Sequence, residues 1–262
     1  KTKMIDDIHT LLDALKLRHA RTTVAAAIKA AQKDKPSYSA FLLELLRREH
    51  EGQRNRAIAS RLKRSGLDEF WTLETFPFHI QKCVNKRAIY ELAELDFIDR
   101  GESAVFIGQA AVGKSGLASG ILMKAIYAGR RCQPIKPDKL FEVLRASDAD
   151  RATRSRIQSL SRIDVLLIEE LGYVEALEPR QVNDFFRLMD NRCNRKSTII
   201  TTNLGFEEWG KFLGNGPLIA ALLSRLLQKC RTIVFPKEAV NLRAPKLGLP
   251  ARAEKPAIFD VA

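Results

Sequence analysis

The sequence predicts an α/β protein in which a five-stranded parallel sheet, with helices on both faces, follows a small all-helical domain. Three observations lead to this prediction. Apolar runs of strand length alternate with helix-like stretches beyond residue 100, which is the pattern of a parallel sheet. A glycine-rich loop joins the first apolar run to a helix-like stretch. Near the start of the chain, apolar residues instead recur at helical spacing among many basic residues.

Residues 1–66 are predicted to form the helical domain. Apolar residues recur every three or four positions from residue 5 to residue 15, which places them on one face of a helix. A second helix is expected over residues 21–32, before a break with turn-forming residues. A third helix, with Ser39 as its N-cap, should run towards residue 64.

Basic charge is concentrated in this domain. It has 15 Lys or Arg against 7 Asp or Glu, a net charge of +8 out of +13 for the 262-residue chain. Arg47, Arg54 and Arg61 lie seven residues apart and would share a stripe on the third helix. Such side chains neutralise phosphates without reading base sequence, although most charge runs are solvated helix faces. Because the excess is local, we favour nucleic acid as the partner. The predicted contacts are Arg47, Arg48, Arg54, Arg56, Arg61, Lys63 and Arg64.

Residues 67–100 are predicted to link the two domains. A helix from about Asn85 to Leu95 leads into the first strand. Phe76 and Phe78 are interpreted as hydrophobic docking residues, since two aromatic side chains are too few for a base-stacking platform.

The glycine-rich loop has the spacing G-x-x-x-x-G-K-[ST], which is typical of phosphate-binding loops. Its glycines allow a tight turn that brings backbone N–H groups towards phosphate oxygens, beside the positive end of the following helix. Lys114 is placed to reach the β- and γ-phosphates, and the Ser115 hydroxyl to ligate Mg²⁺. A chance glycine-rich turn is the alternative. The predicted nucleotide-binding residues of the loop are Gly108, Gln109, Ala110, Ala111, Val112, Gly113, Lys114, Ser115 and Gly116.

The third strand leads into two acidic residues, Glu169 and Glu170. Beside a phosphate loop this pattern is typical of a second nucleotide-hydrolysis motif, in which the first acid holds Mg²⁺ through water and the second polarises the attacking water. A charged loop after a core strand is the alternative, but ligands bind at the carboxyl ends of such strands. The five strands are expected near residues 104–107, 132–135, 164–168, 197–202 and 232–235.

Three later residues are further candidates for the site. Asn203 follows the fourth strand and could bond the attacking water or the γ-phosphate, or simply form a turn. Arg225 could act as an arginine finger for a neighbouring subunit, or be an ordinary surface residue. Arg243 follows the fifth strand and could contact the γ-phosphate of its own site.

Other features of the sequence limit the class of protein to which the chain can belong. The four cysteines have no C-x-x-C pair or metal spacing, so we interpret them as reduced thiols. No run of 18 apolar residues occurs, so no membrane span is expected. The first residues lack an apolar signal core, so no secretion signal is expected and a cytoplasmic location is predicted. Residues 248–262 contain two prolines and are predicted to be a flexible tail.

Several stretches carry a family resemblance over about residues 1–247. They are the basic helical start, Phe76-Pro77-Phe78, Leu95-Asp96-Phe97-Ile98, the phosphate loop, residues 166–173 and residues 200–209. In these the chain resembles the IstB family, the AAA+ ATPases that assist the transposase of certain bacterial insertion sequences. That family is related to DnaC-type helicase loaders and to the replication initiator DnaA.

The resemblance implies an AAA+ ATPase domain over residues 101–247 that binds ATP with Mg²⁺. It also implies a homo-oligomer with shared ATP sites, binding of double-stranded DNA, and engagement of a transposase at target DNA. A helicase loader that binds single-stranded DNA is the alternative function, and a small-molecule kinase is a third. The roles carried over are nucleotide binding for Lys114 and Ser115, metal binding for Glu169, hydrolysis for Glu170, first sensor for Asn203, finger for Arg225 and second sensor for Arg243.

Two positions depart from the family pattern. The family usually has Asp where this chain has Glu169, and the extra methylene shifts the carboxylate by roughly 1.5 Å. Residues 109–111 are Gln-Ala-Ala where relatives often carry Pro and Gly. Alanine adopts positive φ less freely than glycine, so the loop is expected to differ in detail.

Overall fold

The computed structural model describes residues 2–67, 71–145, 151–172, 177–214 and 216–243. The chain divides into two units, one within residues 1–60 and one from residue 61 onward. Tyr173 and the predicted tail, residues 248–262, lie outside the described residues. In the part of the chain that is described, no helix is both long enough and apolar enough to cross a membrane.

Three helices account for the start of the chain. Their bounds are Thr2–Ala14 (α1), Arg18–Asp34 (α2) and Tyr38–Ser65 (α3). The predicted cap of α3 is wrong, because the backbone N–H of Ala40 donates to Ser37 Oγ at 3.2 Å and Ser39 already lies inside the helix. An N-cap side chain bonds the N–H two or three residues ahead, and only Ser37 stands at that distance from the first turn.

Glu49 ties α3 to the start of α2. Its buried carboxylate accepts from Ala20 N at 2.7 Å, from Gln53 Nε2 at 3.0 Å and from Arg56 Nη2 at 3.2 Å. Burial by itself would raise the pKa of Glu49, but these hydrogen bonds outweigh it and lower the pKa below its ordinary value. The carboxylate therefore stabilises the positive end of α2, and Arg56 is engaged inside its own unit.

Two short helices lie in the predicted linker, before the sheet. They are Lys86–Ala93 (α4) and Asp96–Asp99 (α5). Asn85 caps α4 by accepting from Ala88 N at 3.1 Å, in agreement with the predicted helix start.

The second unit contains a parallel five-stranded sheet, which confirms the predicted fold class. Its elements are Ser103–Ile107 (β1), Lys114–Tyr127 (α6), Cys132–Ile135 (β2), Pro137–Arg145 (α7), Arg151–Arg162 (α8), Val165–Leu171 (β3), Pro179–Arg192 (α9), Ser197–Thr202 (β4), Phe206–Leu213 (α10), Gly216–Gln228 (α11) and Cys230–Val234 (β5). The strand order is β2-β3-β4-β1-β5, so β1 lies between β4 and β5. Since all strands are parallel, the loop after β1 and the ends of β3 and β4 share one edge of the sheet.

Strand β3 continues beyond its predicted end. The sequence indicates a strand over residues 164–168 with the two acids after it, whereas β3 includes both acids and ends at Leu171. Ile168 pairs with Ile200 but Leu171 pairs with Thr202, so β3 has one extra residue there. This is a β-bulge, a device that redirects side chains at the edge of a site. The bulge could not be predicted because it depends on the partner strand.

At the opposite edge, the buried guanidinium of Arg192 joins the starts of β3 and β4. It donates to Ile163 O at 2.9 Å and to Thr198 Oγ1 at 3.0 Å, and also to the carbonyls of Leu160 and Ser197. Burial lowers the pKa of Arg192 to about 10, so the group remains charged at neutral pH. Carbonyl oxygens satisfy its donors, as a buried cation requires.

Candidate nucleotide-binding site

The phosphate loop, residues 108–113, connects β1 to α6 in a conformation that requires special residues. Gly113, the N-cap of α6, has φ 101°, and a side chain there would meet Phe76 at 2.6 Å. Ala111 has φ 62°, which costs a non-glycine residue about 1–2 kcal/mol. Ala111 is therefore a strained alanine, at one of the positions where the loop departs from the family pattern. Such strain typically occurs at functional sites.

Lys114 closes the loop with its side chain. The ammonium is buried and donates to Gly108 O at 2.7 Å and to Gln109 O at 2.6 Å. Burial lowers the pKa of Lys114, while the negative charge of Glu170 opposes that shift. The lysine thus lies inside the loop and within the electrostatic reach of Glu170, where its two carbonyl contacts are exchangeable for phosphate oxygens.

The bulge in β3 presents the two acids at the same edge. Glu169 is half-buried and Glu170 is exposed. Glu170 has φ 59°, and its backbone N–H donates to Thr201 Oγ1 on β4 at 2.9 Å. The threonine hydroxyl therefore holds a strained peptide in place, a role for Thr201 that the sequence did not reveal.

Asn203 and Ser115 lie at this edge as well. Asn203 directly follows β4, and its Oδ1 lies 2.9 Å from the position that a Cβ on Gly172 would occupy. Ser115, half-buried, is the second residue of α6. The structure therefore brings the loop, both acids and Asn203 to one edge of the sheet, because β3, β4 and β1 are neighbours there.

Residues 236–243, called here the C-terminal strap, return to the loop after β5. The N–H of Leu242 donates to Ala111 O at 2.9 Å, and the Leu242 side chain lies 3.0 Å from where a Cβ on Gly113 would be. Arg243 is exposed and follows Leu242 directly. The strap thus carries Arg243 to the neighbourhood of the phosphate loop.

Gln81, a linker residue that the sequence did not single out, joins the loop to the strap. Its buried amide donates to Val112 O at 2.8 Å and to Val240 O at 2.9 Å, and its carbonyl accepts from Val240 N at 3.0 Å. The neighbouring linker residue Phe76 is buried against the loop. No local pattern marks Gln81, because its contacts are 31 and 159 residues away.

Arg225 does not lie with the other candidates. It occupies the last turn of α11, forms an ion pair with Asp190 and stacks over Phe186, with 5.5 Å from its guanidinium carbon to the ring centre. It lines a shallow pocket together with Ser103 and Thr198, which stand at the starts of β1 and β4. Arg225 is therefore at the edge of the sheet opposite to its own phosphate loop.

The seven basic residues of α3 differ in their surroundings. Arg47, Arg54 and Lys63 are exposed. Arg48 is exposed and pairs with Glu44 at 2.7 Å. Arg56 is bound to the buried Glu49. Arg61 is half-buried and lies beside Gly129, and Arg64 is exposed.

A strained glycine-rich loop after β1, with acids at the end of β3, defines a P-loop nucleotide-binding protein. The comparison with known families is specific. Residues 10–247 match the family described as IstB-like ATP binding protein. The chain belongs to that family, and the predicted resemblance is confirmed.

Relatives and solved structures agree with this assignment. The ATP-binding protein of insertion sequence IS21 from Pseudomonas aeruginosa is 33% identical over 237 residues, covering 90% of this chain and 89% of that protein. The ATP-binding protein of IS5376 from Geobacillus stearothermophilus is 33% identical over 244 residues, covering 93% and 97%. The crystal structure of DnaI has a TM-score of 0.55 at 18% identity, covering 63% of this chain and 91% of that one. This last likeness concerns the fold alone.

Proposed function

We propose that this protein is a Mg²⁺-dependent ATPase that assembles on double-stranded DNA and assists a transposase in selecting target DNA. The observation that carries the proposal is membership, over residues 10–247, of a family whose relatives are ATP-binding proteins of insertion sequences. The arrangement at the sheet edge supports hydrolysis in addition to binding, because a loop for phosphates and two carboxylates lie together there.

The loop supplies the phosphate contacts. Backbone N–H groups at the start of α6 and the Lys114 ammonium would neutralise the β- and γ-phosphates. The buried position of Lys114 strengthens this contact, since a charge acts more strongly away from water.

The residues present fit a magnesium ion. Ser115 and Glu169 offer a hydroxyl and a carboxylate, and Mg²⁺ prefers oxygen ligands with phosphates and water completing its shell. The ion would supply charge neutralisation for the transferred phosphoryl group. The position of both acids beside the bulge at the end of β3 supports a role for them, because bulges redirect side chains next to active sites.

Glu170 is proposed to orient and polarise the attacking water. Its exposed carboxylate lies in the field of Lys114, and the bond from its N–H to Thr201 fixes its backbone. Asn203 would bond the same water or the γ-phosphate, and Arg243 the γ-phosphate from the strap. Arg225 would complete the site of a neighbouring subunit, which makes the ATPase an oligomer.

DNA binding is assigned to the basic face of α3. Arg47 and Arg54 are exposed there, and such side chains contact phosphates independently of base sequence. Arg56 contributes less to this proposal than the sequence indicated, since it is bound to Glu49.

Electron microscopy and ATP turnover with and without duplex DNA would test the proposal. We expect ATP-dependent rings or filaments on duplex DNA, faster turnover with DNA, and pull-down of a transposase. Lys114→Ala is the matched control, in which assembly should be lost. A preference for single-stranded DNA together with capture of a helicase would favour a helicase loader. Indifference to DNA would favour a small-molecule kinase.

A further inference from the structure

Gln81 uses every strong hydrogen-bonding position of its side chain within the protein. The residue is 1% exposed. Its two amide hydrogens go to carbonyls of different segments, Val112 in the phosphate loop and Val240 in the strap. Its carbonyl accepts from Val240 N and from Cys83 Sγ. A buried amide shared in this way fixes the relative positions of the segments it bonds.

The contact to Val112 has a consequence for the inside of the loop. In a trans peptide the C=O and the N–H point in opposite directions, and the described residues contain no cis peptide. Gln81 holds Val112 O on the outer side of the loop, so the N–H of Gly113 points to the inner side. That inner side is where a phosphate loop presents its N–H groups.

The strap acts on the preceding peptide in the same way. Leu242 N donates to Ala111 O at 2.9 Å, which turns the N–H of Val112 inward. Gln81 also pairs with both backbone groups of Val240, two residues before Leu242. One side chain therefore orients one loop peptide directly and supports the segment that orients the next.

We propose that Gln81 is a positioning residue for phosphate binding, which aims the N–H groups of Val112 and Gly113 at the nucleotide and anchors the strap that carries Arg243. This inference rests on the proposed ATPase function. It differs from a purely structural role because its effect falls on the polyphosphate part of the ligand.

Gln81→Met in the full-length protein tests the inference. Methionine has a similar length and cannot donate to Val112 O. We expect the Kd for ATP and the inhibition constant of inorganic tripolyphosphate each to rise about tenfold, or about 1.4 kcal/mol. KM should rise more than kcat falls, since a loop contact acts on ground state and transition state alike. The control is Thr198→Val, which removes one buried hydrogen bond, from Arg192, at the opposite edge of the sheet. It should lower the melting temperature without changing either constant.

Gln81→Glu provides a second variant if the first does not fold. It keeps the shape and the acceptor for Val240 N but removes the amide that donates to Val112 O, and it should lose affinity to a similar degree. Unchanged affinity for ATP and tripolyphosphate in either folded variant would overturn the inference while leaving the proposed function intact. A wild-type protein that does not bind ATP would instead overturn the proposed function and this inference with it.

Discussion

Arg225 provides the sharpest test of a shared ATP site. Strand β1 has five residues, so the edge that begins the strands and the edge that carries the phosphate loop are about 13 Å apart. An arginine side chain reaches about 7 Å from its Cα. Arg225 lines a pocket at the starting edge and therefore does not reach the γ-phosphate of its own subunit. If it takes part in hydrolysis, it acts on a neighbour.

The expected effects on catalysis and on stability are very different. An arginine finger contributes roughly 10³–10⁵ in kcat. The ion pair with Asp190 is half-exposed, at 50% and 46% of the two side chains, and such a pair is worth only about 0–1 kcal/mol of stability. Arg225→Ala should therefore lose at least about a thousandfold in hydrolysis while its melting temperature changes by a few degrees at most.

ATP turnover, ATP affinity and oligomer size would be measured on the same preparation. We expect Arg225→Ala to bind ATP normally as an isolated subunit but to lose hydrolysis and the ATP-driven oligomer. Arg130→Ala is the matched control, since Arg130 also forms a surface ion pair, with Asp99 at 2.7 Å. It should hydrolyse ATP at the wild-type rate.

Mixing Arg225→Ala with Glu170→Gln makes the test decisive. At some interfaces an intact Glu170 would meet an intact Arg225 from the other variant, and hydrolysis should return in proportion to mixed assembly. Normal turnover by Arg225→Ala alone would refute the shared site. If assemblies demonstrably mix and activity stays lost, either Arg225 is structural or the finger lies elsewhere, and Arg231 on β5 is the next residue to test.

Three further predictions follow from the described contacts. Glu170→Gln should keep the ATP affinity but slow ATP hydrolysis, measured as phosphate production, by a factor of roughly 10²–10⁴. A normal rate would show that another group polarises the water. Reversing the charge of Arg47 and Arg54 should weaken binding to unrelated duplexes equally and reduce the slope of log affinity against log salt by about 2. An unchanged slope would mean that this face is only solvated. Burial acts to raise the pKa of Asp164, but hydrogen bonds, including that from Lys196, outweigh it and lower the pKa to about 2. Because the folded-state pKa lies below its ordinary value, the stabilisation is complete above about pH 4 and disappears as the pH falls towards 2. Urea unfolding should therefore find wild type about 2 kcal/mol more stable than Asp164→Asn at pH 7, and less so at pH 3. A difference independent of pH would contradict this assignment.

The parts of the fold that were predictable depend on neighbours in the sequence. The sequence located all five strands to within a few residues, most clearly β1 and β3, whose buried positions form continuous apolar runs. The phosphate loop was recognisable because its glycines, lysine and serine must stand at fixed spacing to surround a phosphate. The start of α4 near Asn85 was predicted correctly from local sequence as well.

What could not be predicted depends on contacts between distant segments. The bulge at Glu169 and Glu170 exists only because β4 offers Thr201 opposite one extra residue. Gln81 bonds partners 31 and 159 residues away. The difference between Arg54, which is exposed, and Arg56, which is bound to a buried carboxylate, is not visible in a count of charges.

The location of Arg225 connects these local results to assembly. The edge of the sheet that carries the loop, the acids and Asn203 has no place for Arg225, and the edge that carries Arg225 has no phosphate loop. If Arg225 acts on a neighbour as proposed, each chain presents half of a complete site at either edge, and two chains in head-to-tail contact complete one site between them. Such contacts generate rings or helical filaments according to whether the rotation between subunits closes.

Because Arg225 is already bound to Asp190 and stacked on Phe186, a neighbour's nucleotide would have to compete with Asp190 for the guanidinium. A γ-phosphate carries more negative charge than a single carboxylate, whereas ADP lacks that group. The same pair would thus make the contact between subunits sensitive to hydrolysis, and Asp190→Asn should reduce the difference in oligomer size between ATP and ADP.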